Sequence, residues 1–228
     1  LSEKLRKILI AENCPERFKA CVPYAWSSVG GLNRESRRFW QSYFLFRRKT
    51  LYKFCNPRYE YLDSQMTRIY INRRERSLSE RYFSLWKEIW KEKDLLIVEG
   101  EKSRFGVGND LFCGARSIRR ILCPAENAFS HYEEILAKVR DLAQGSLVLL
   151  VLGPTATAMA WDLASIGIRA LDIGNMDMEY EWFCRRSKGR VKIEGKYSFE
   201  ISGGTDVAEC RDEAYLREIV CRAGLRHG

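Results

Sequence analysis

The sequence predicts an α/β fold: a doubly wound, mostly parallel sheet flanked by helices. Two observations carry that reading. From Asp94 onward, short apolar runs (Leu95–Val98, Leu147–Leu152) alternate with segments of helical periodicity, the pattern of strands joined by crossover helices. The runs also end in glycine and polar residues, Glu99-Gly100-Glu101 after the first and Gly153-Pro154-Thr155-Ala156-Thr157 after the second. Open parallel sheets build their sites beyond the carboxyl ends of such strands.

In chain order, residues 2 to 10 place Leu5, Ile8 and Leu9 at helical spacing ahead of Pro15, predicting a short helix. Phe18 to Val22 reads as a strand closed by Pro23. Asn33 offers an N-cap for a helix over 33–48 in which Phe39, Trp40, Tyr43, Phe44 and Phe46 are interleaved with arginines. Its aromatic side is expected on the core, although arginine among aromatics also suits nucleic-acid binding. Ser79 is read as the cap of a helix that buries Phe83, Trp86 and Trp90. Strands follow at 95–98, 117–123, 147–152 and 168–173, with helices at 129–142 and 155–166, the latter stopped by Gly167. A charged helix is predicted from Glu209 to Arg222.

A chain of 228 residues, 46% hydrophobic, can bury one core. Its 39 Lys and Arg against 30 Asp and Glu leave a net charge of +9, which suits an anionic partner such as a nucleotide diphosphate, a nucleic acid or an acidic membrane surface. The eight cysteines contain no C-x-x-C and only two histidines accompany them, so no structural zinc site is expected. Scattered thiols suit a reducing compartment, and the protein is expected to be cytoplasmic. No apolar run approaches the roughly 18 residues that span a bilayer.

Against that positive balance, residues 170 to 183 hold Asp172, Asp177, Glu179 and Glu181 just after the last buried strand. Asp177-Met178-Glu179 supplies two close carboxylates, which with diphosphate oxygens and water would complete an octahedral shell for Mn2+ or Mg2+. If Asp177 caps the helix that enters Tyr180, both side chains are expected to turn toward one ion. The Gly153 to Thr157 turn offers backbone amides and hydroxyls to phosphate, but it lacks the lysine and glycine spacing of a triphosphate-hydrolysing loop. Arg104 suits either a diphosphate or a salt bridge to Glu99, Glu101 or Asp110.

Four ordered motifs resemble the GT-D type glycosyltransferases, a bacterial family once called a domain of unknown function. They are V-E-G-E-K-S-R-F-G-V-G-N-D-L-F (98 to 112), R-R-I-L-C-P-A-E-N-A-F (119 to 129), L-G-P-T-A-T-A-M-A-W-D-L (152 to 163) and D-I-G-N-M-D-M-E-Y-E-W-F (172 to 183). The resemblance implies a Rossmann-like domain that uses an Asp-x-Glu pair and a divalent metal to transfer glucose from UDP-glucose, with inversion, to a glycan on a glycoprotein acceptor. The metal pair would fall on Asp177 and Glu179. The nucleotide-sugar site would involve the loops holding Arg104, Gly106, Asn109, Asp110, Gly153 and Thr155. Glu101, Glu181 and Asp172 are the candidate bases.

The family pattern has histidine where this chain has Asn175, and its members begin with a strand and a Gly-Asp-Gly-Glu loop that would lie before Leu1. The chain is therefore expected to be a single domain lacking that strand and loop, binding UDP with metal but transferring glucose slowly or not at all. No nucleic-acid partner is expected. The alternative reading is a non-catalytic module that binds a nucleotide-sugar, a glycan or nucleic acid.

Overall fold

The computed structural model describes residues 1–10, 14–16 and 18–225. From the N-terminus the elements are α1 (Ser2–Ile10), β1 (Cys21–Val22), α2 (Arg34–Tyr52), β2 (Leu62–Asp63), α3 (Ser79–Trp90), β3 (Asp94–Gly100) and β4 (Ser117–Cys123). They continue with α4 (Tyr132–Leu142), β5 (Leu147–Val151), α5 (Pro154–Ser165), β6 (Ala170–Asp172), α6 (Met176–Cys184), α7 (Glu213–Glu218) and β7 (Ile219–Arg222).

Five strands form one sheet in the order β6-β5-β3-β4-β7, every neighbouring pair parallel. Leu95, Leu96, Ile97 and Val98 are fully buried because β3 is the central strand and is covered on both faces. Successive side chains of a strand point to opposite faces. Leu96 and Val98 accordingly pack with Ile135, Val139 and Met159 of α4 and α5, while Leu95 and Ile97 pack with Phe83, Trp90, Met176 and Trp182 of α3 and α6. The chain runs β3 to β4, then returns through α4 to β5 on the far side of β3. That reversal opens a crevice beyond the carboxyl ends of the strands.

Four expectations are corrected. The predicted helix from Glu209 to Arg222 is a short α7 followed by β7, which pairs with β4 at the sheet edge. The β-prone Ile219-Val220-Cys221 run takes the open edge that β4 offers. Ser79 is the first residue of α3, not its cap, and its buried hydroxyl donates to the Ile69 carbonyl at 2.7 Å. Phe83 and Trp90 are core, but Trp86 is half-buried, stacked on Trp90 with centroids 6.0 Å apart. Helix α2 is capped as expected, with the Asn33 side chain accepting from the Ser36 amide at 2.8 Å. Its aromatic side is largely in solvent, however, and Ser36 is its one fully buried residue.

Candidate functional site

A cavity of ≈ 1010 Å³ lies over the carboxyl ends of β3, β4, β5 and β6, where Gly100, Pro124, Gly153 and Asp172 each reach its wall. It is at the upper end of the size range of small-molecule sites. Close approach of two loops requires Gly100, because a Cβ there would stand 3.1 Å from Ala125 Cα. Helix α5 starts at the cavity with Pro154 in its first turn, preceded by Gly153 at φ 53° with nothing near its missing side chain. The positive end of the helix dipole and the buried Thr155 thus face the space.

Asp172 ends β6 inside this cavity. Thr157 Oγ1 donates to its Oδ2 at 2.7 Å. Solvent reaches the carboxyl through the cavity, yet surrounding protein desolvates it enough to raise its pKa, against the hydrogen bonds from Thr157 and the Gly174 amide. Across the rim, the Tyr197 hydroxyl hydrogen-bonds Glu126 Oε1 at 2.9 Å, and Phe199, 73% exposed, stands at the mouth.

Helix α6 directs its three carboxylates to two sides. Residues four apart share a helix face, whereas residues two apart point in nearly opposite directions. Asp177 and Glu181 therefore meet the same partners: Asn109 Nδ2 at 2.8 and 2.7 Å, and Lys196 Nζ at 2.6 and 3.2 Å. Glu179 turns away, its Oε2 accepting from the Tyr70 and Ile71 amides at 2.8 and 2.9 Å. Its Oε1 is buried without a partner.

Burial raises the pKa of Asp177 despite Lys196 and Asn109, and raises that of Glu179 despite its two amide bonds. Burial pushes Glu181 up as well, but Asn109, Lys196 and Arg185 outweigh it and hold this carboxyl below its ordinary value. The expectation that Asp177 caps α6 and joins Glu179 on one ion does not describe this geometry. Asn175 occupies the cap position, and an ammonium group already sits between Asp177 and Glu181. Among the described residues, no three His, Cys, Asp or Glu side chains converge as metal ligands. The Asp177–Glu179 pair does not fit a shared divalent cation.

The 99 to 110 segment is chiefly a structural clamp. Glu99 is fully buried, accepting from the Phe105 amide at 2.7 Å and from Arg120 Nη1 at 2.6 Å. Arg120 also reaches Glu218 at 2.6 Å, which ties the C-terminal segment to the sheet. Arg104 makes none of the salt bridges predicted for it: its guanidinium donates to the Gly195 carbonyl at 3.0 Å and to that of Ala208. Gly106 has φ +77°, and a Cβ there would come within 2.4 Å of the Phe112 ring, so glycine is needed for packing. Asp110 binds Lys87 at 2.8 Å and Tyr180 at 2.6 Å. Of this segment, Gly100, Ser103 and Phe105 line the cavity, whereas Glu101, Arg104, Asn109 and Asp110 do not.

Of the residues singled out in the sequence, the cavity thus brings together Asp172, Asn175, Asp177, Gly153 and Thr155. It adds Arg68, Glu126, Thr157, Tyr197 and Phe199, of which only Glu126, within the 119 to 129 motif, and Thr157, the last residue of the G-P-T-A-T turn, had a sequence signal. Arg68 forms a two-point pair with Glu200, which also accepts from Asn175 Nδ2 at 2.8 Å. The Arg68–Glu200 pair joins residues 132 apart in the chain, which no local pattern signals.

Residues 1–201 match the family described as glycosyltransferase GT-D fold. The chain belongs to that family. It is 39% identical over 220 residues to the probable glycosyl transferase Gly of Streptococcus gordonii, and 35% identical over 214 residues to the glycosyltransferase GlyD of Streptococcus pneumoniae. Those matches take in 96% and 94% of this chain but only 32% and 26% of the relatives, so the chain spans about a third or less of their length.

A solved glycosyltransferase of the DUF1792 type from Streptococcus sanguinis superposes with a TM-score of 0.91 at 39% identity, covering 97% of this chain and 82% of the other. A second DUF1792 structure, described as having a distinct glycosyltransferase fold, gives 0.89 at 37% identity, covering 97% and 79%. The GT-D fold in this chain is the five-stranded parallel sheet with its cavity at the carboxyl ends.

Proposed function

We propose that this GT-D chain binds a UDP-sugar in the cavity and transfers its hexose, glucose by family resemblance, to a glycan acceptor with inversion. The observation that carries the reading is Asp172: a carboxylate at the end of β6, inside a cavity large enough for a nucleotide-sugar, with its pKa raised. The diphosphate is assigned to the N-terminus of α5, where Gly153 leaves the backbone open and the helix dipole favours negative charge.

A base must reach the proton it removes and hold a pKa suited to taking it. Asp172 lines the cavity, and burial raises its pKa. Glu181 is outside the cavity lining, engaged by Asn109 and Lys196 and held low, and Glu101 is outside the lining as well. In the proposed step, the acceptor hydroxyl gives its proton to Asp172 as its oxygen bonds to the anomeric carbon. The bond from that carbon to the diphosphate oxygen breaks, and UDP leaves with the electron pair. Bound Mn2+ or Mg2+ would supply charge neutralisation of the diphosphate, but Asp177 and Glu179 do not form its clamp here, and no step is assigned to a metal.

The test is UDP release from a panel of UDP-sugars, with manganese and with chelator, alongside calorimetric UDP binding. Release from UDP-glucose that depends on Asp172 is expected. UDP binding without release would favour the binding-module reading, which one contact supports: Asn175, whose amide is engaged with Glu200, carries no titrating group. Absence of both binding and release would overturn the site.

A further inference from the structure

Among the described helices α2 carries the most exposed large hydrophobic residues, and none of them lines the cavity. Phe39, Phe46 and Leu45 are 59%, 76% and 79% exposed, with Tyr43 and Tyr52 exposed beside them. Phe39, Tyr43 and Phe46 stand at i, i+4 and i+7, which places them in one stripe along the helix. The inward side is thin: Trp40 and Phe44 are only half-buried, and Trp26 is the aromatic of the body that meets the helix, 6.1 Å from Phe44 and 5.5 Å from Tyr52. Around the stripe, α2 bears Arg34, Arg37, Arg38, Arg47, Arg48 and Lys49 against the single acid Glu35.

We propose that α2 is an interfacial anchor that lays its aromatic stripe into the surface of an anionic phospholipid bilayer. A helix with Phe and Leu on one side and Lys and Arg around it, of low overall hydrophobicity, lies in the plane of the headgroups with its apolar face in the acyl boundary. The cationic flanks then meet lipid phosphates and the negative surface potential. No helix among the described residues is long and apolar enough to cross a membrane.

Two other occupants fit less well. A second copy docked stripe to stripe would bring two sets of six basic residues together, each with one acid to offset them. Nucleic acid would need successive rings free to receive bases, but two of the three stripe rings are paired, Phe39 stacking on Tyr43 at 6.0 Å, which leaves Phe46 alone unpaired among the described residues.

The experiment is co-sedimentation of the purified chain with vesicles of phosphatidylcholine alone and of phosphatidylcholine with phosphatidylglycerol. The arms compare the parent chain, Phe39→Ser/Phe46→Ser and Arg47→Glu/Arg48→Glu. Both pairs are exposed, so unchanged thermal melts are expected to verify folding. The parent chain should sediment with anionic vesicles and not with neutral ones, and each double variant should bind about tenfold more weakly. Added salt should weaken the parent far more than it weakens the charge-reversed form.

Failure of the parent chain to sediment with anionic vesicles would overturn the proposal. So would equal binding by the aromatic double variant, or self-association in solution that only this variant abolishes. Tight binding of single-stranded oligonucleotide with no vesicle binding would assign the helix to nucleic acid instead.

Discussion

Lys196 Nζ stands 2.6 Å from Asp177 Oδ2, both side chains buried, and so pins the 191 to 205 segment to the first turn of α6. That segment contributes Tyr197, Ser198, Phe199 and Thr205 to the cavity wall, so this ion pair positions one whole side of the site.

Lys196→Met is expected to leave Asp177 as a buried carboxylate facing only Asn109, while Glu181 keeps Asn109 and Arg185. Removing one partner of a buried pair costs about 3–5 kcal/mol, readable in a urea titration. Lys196→Met combined with Asp177→Asn should recover a substantial part of that loss, because the uncompensated charge goes with it. Additive losses in the double variant would mean that the two groups are not coupled.

Glu179 tests the pH dependence of the fold. Its folded-state pKa is raised, chiefly by burial, so between the unfolded and folded values the native state binds more protons than the unfolded one. Stability from this group therefore falls as pH rises through that window. Glu179→Gln keeps an acceptor for the Tyr70 and Ile71 amides and removes the titration. Relative to the parent it should gain stability as pH rises from mildly acidic toward neutral, above the ordinary carboxylate range. Glu179→Ala leaves both amides without their acceptor and should lose about 2–4 kcal/mol throughout. A constant difference between parent and Gln variant across this range would contradict the raised pKa.

The sequence reveals the centre of the sheet because β3 and β5 are buried and read as apolar runs, with glycine marking where they end, whereas β4 carries Arg119 and Arg120 and is closed by Pro124. Local periodicity cannot reveal a helix whose apolar face has no neighbour, and α2 and half-buried Trp86 were therefore expected to be deeper than they are. β7 was hidden for the converse reason: Ile219 to Arg222 becomes a strand only because β4 leaves an edge beside it. In the site, Asp172, Gly153 and Thr155 were legible from their positions after strands. The spacing of Asp177, Glu179 and Glu181 already holds the answer that a compact D-x-E reading passes over, since on a helix the first and third of these share a face and the second does not.

Asp172→Asn is expected to lower transfer by about 100-fold or more, leaving UDP affinity and the thermal melt near those of the parent. Thr157 can still donate to the remaining carbonyl oxygen, so the local geometry survives. A base works only when deprotonated. With the Asp172 pKa raised, kcat/KM should fall as pH drops through a value above the ordinary carboxylate range. Glu181→Gln should act mainly on stability, through Lys196 and Asn109, with no such change in the pH profile. If Asp172→Asn turns over at the parent rate, the base lies elsewhere.

Asn175 lines the cavity and donates to Glu200 Oε1 at 2.8 Å, while Glu200 also holds Arg68. An imidazole placed by Asn175→His can give Glu200 the same hydrogen bond from one ring nitrogen and turn the other toward the cavity. The carboxylate beside it should hold the ring's pKa above its unperturbed value of about 6.5. The added group would then be cationic at neutral pH, able to face the charge that develops on a departing diphosphate, and would lose that charge as pH rises through the raised pKa. Asn175→His is therefore expected to increase UDP release at neutral pH, with the gain fading in alkali and UDP affinity little changed. Single-turnover release and calorimetric binding, measured side by side across pH, separate the two effects. A gain in affinity without a gain in rate would show that the imidazole acts on the bound nucleotide rather than on its departure. No change in either would mean that this position does not reach the reacting diphosphate.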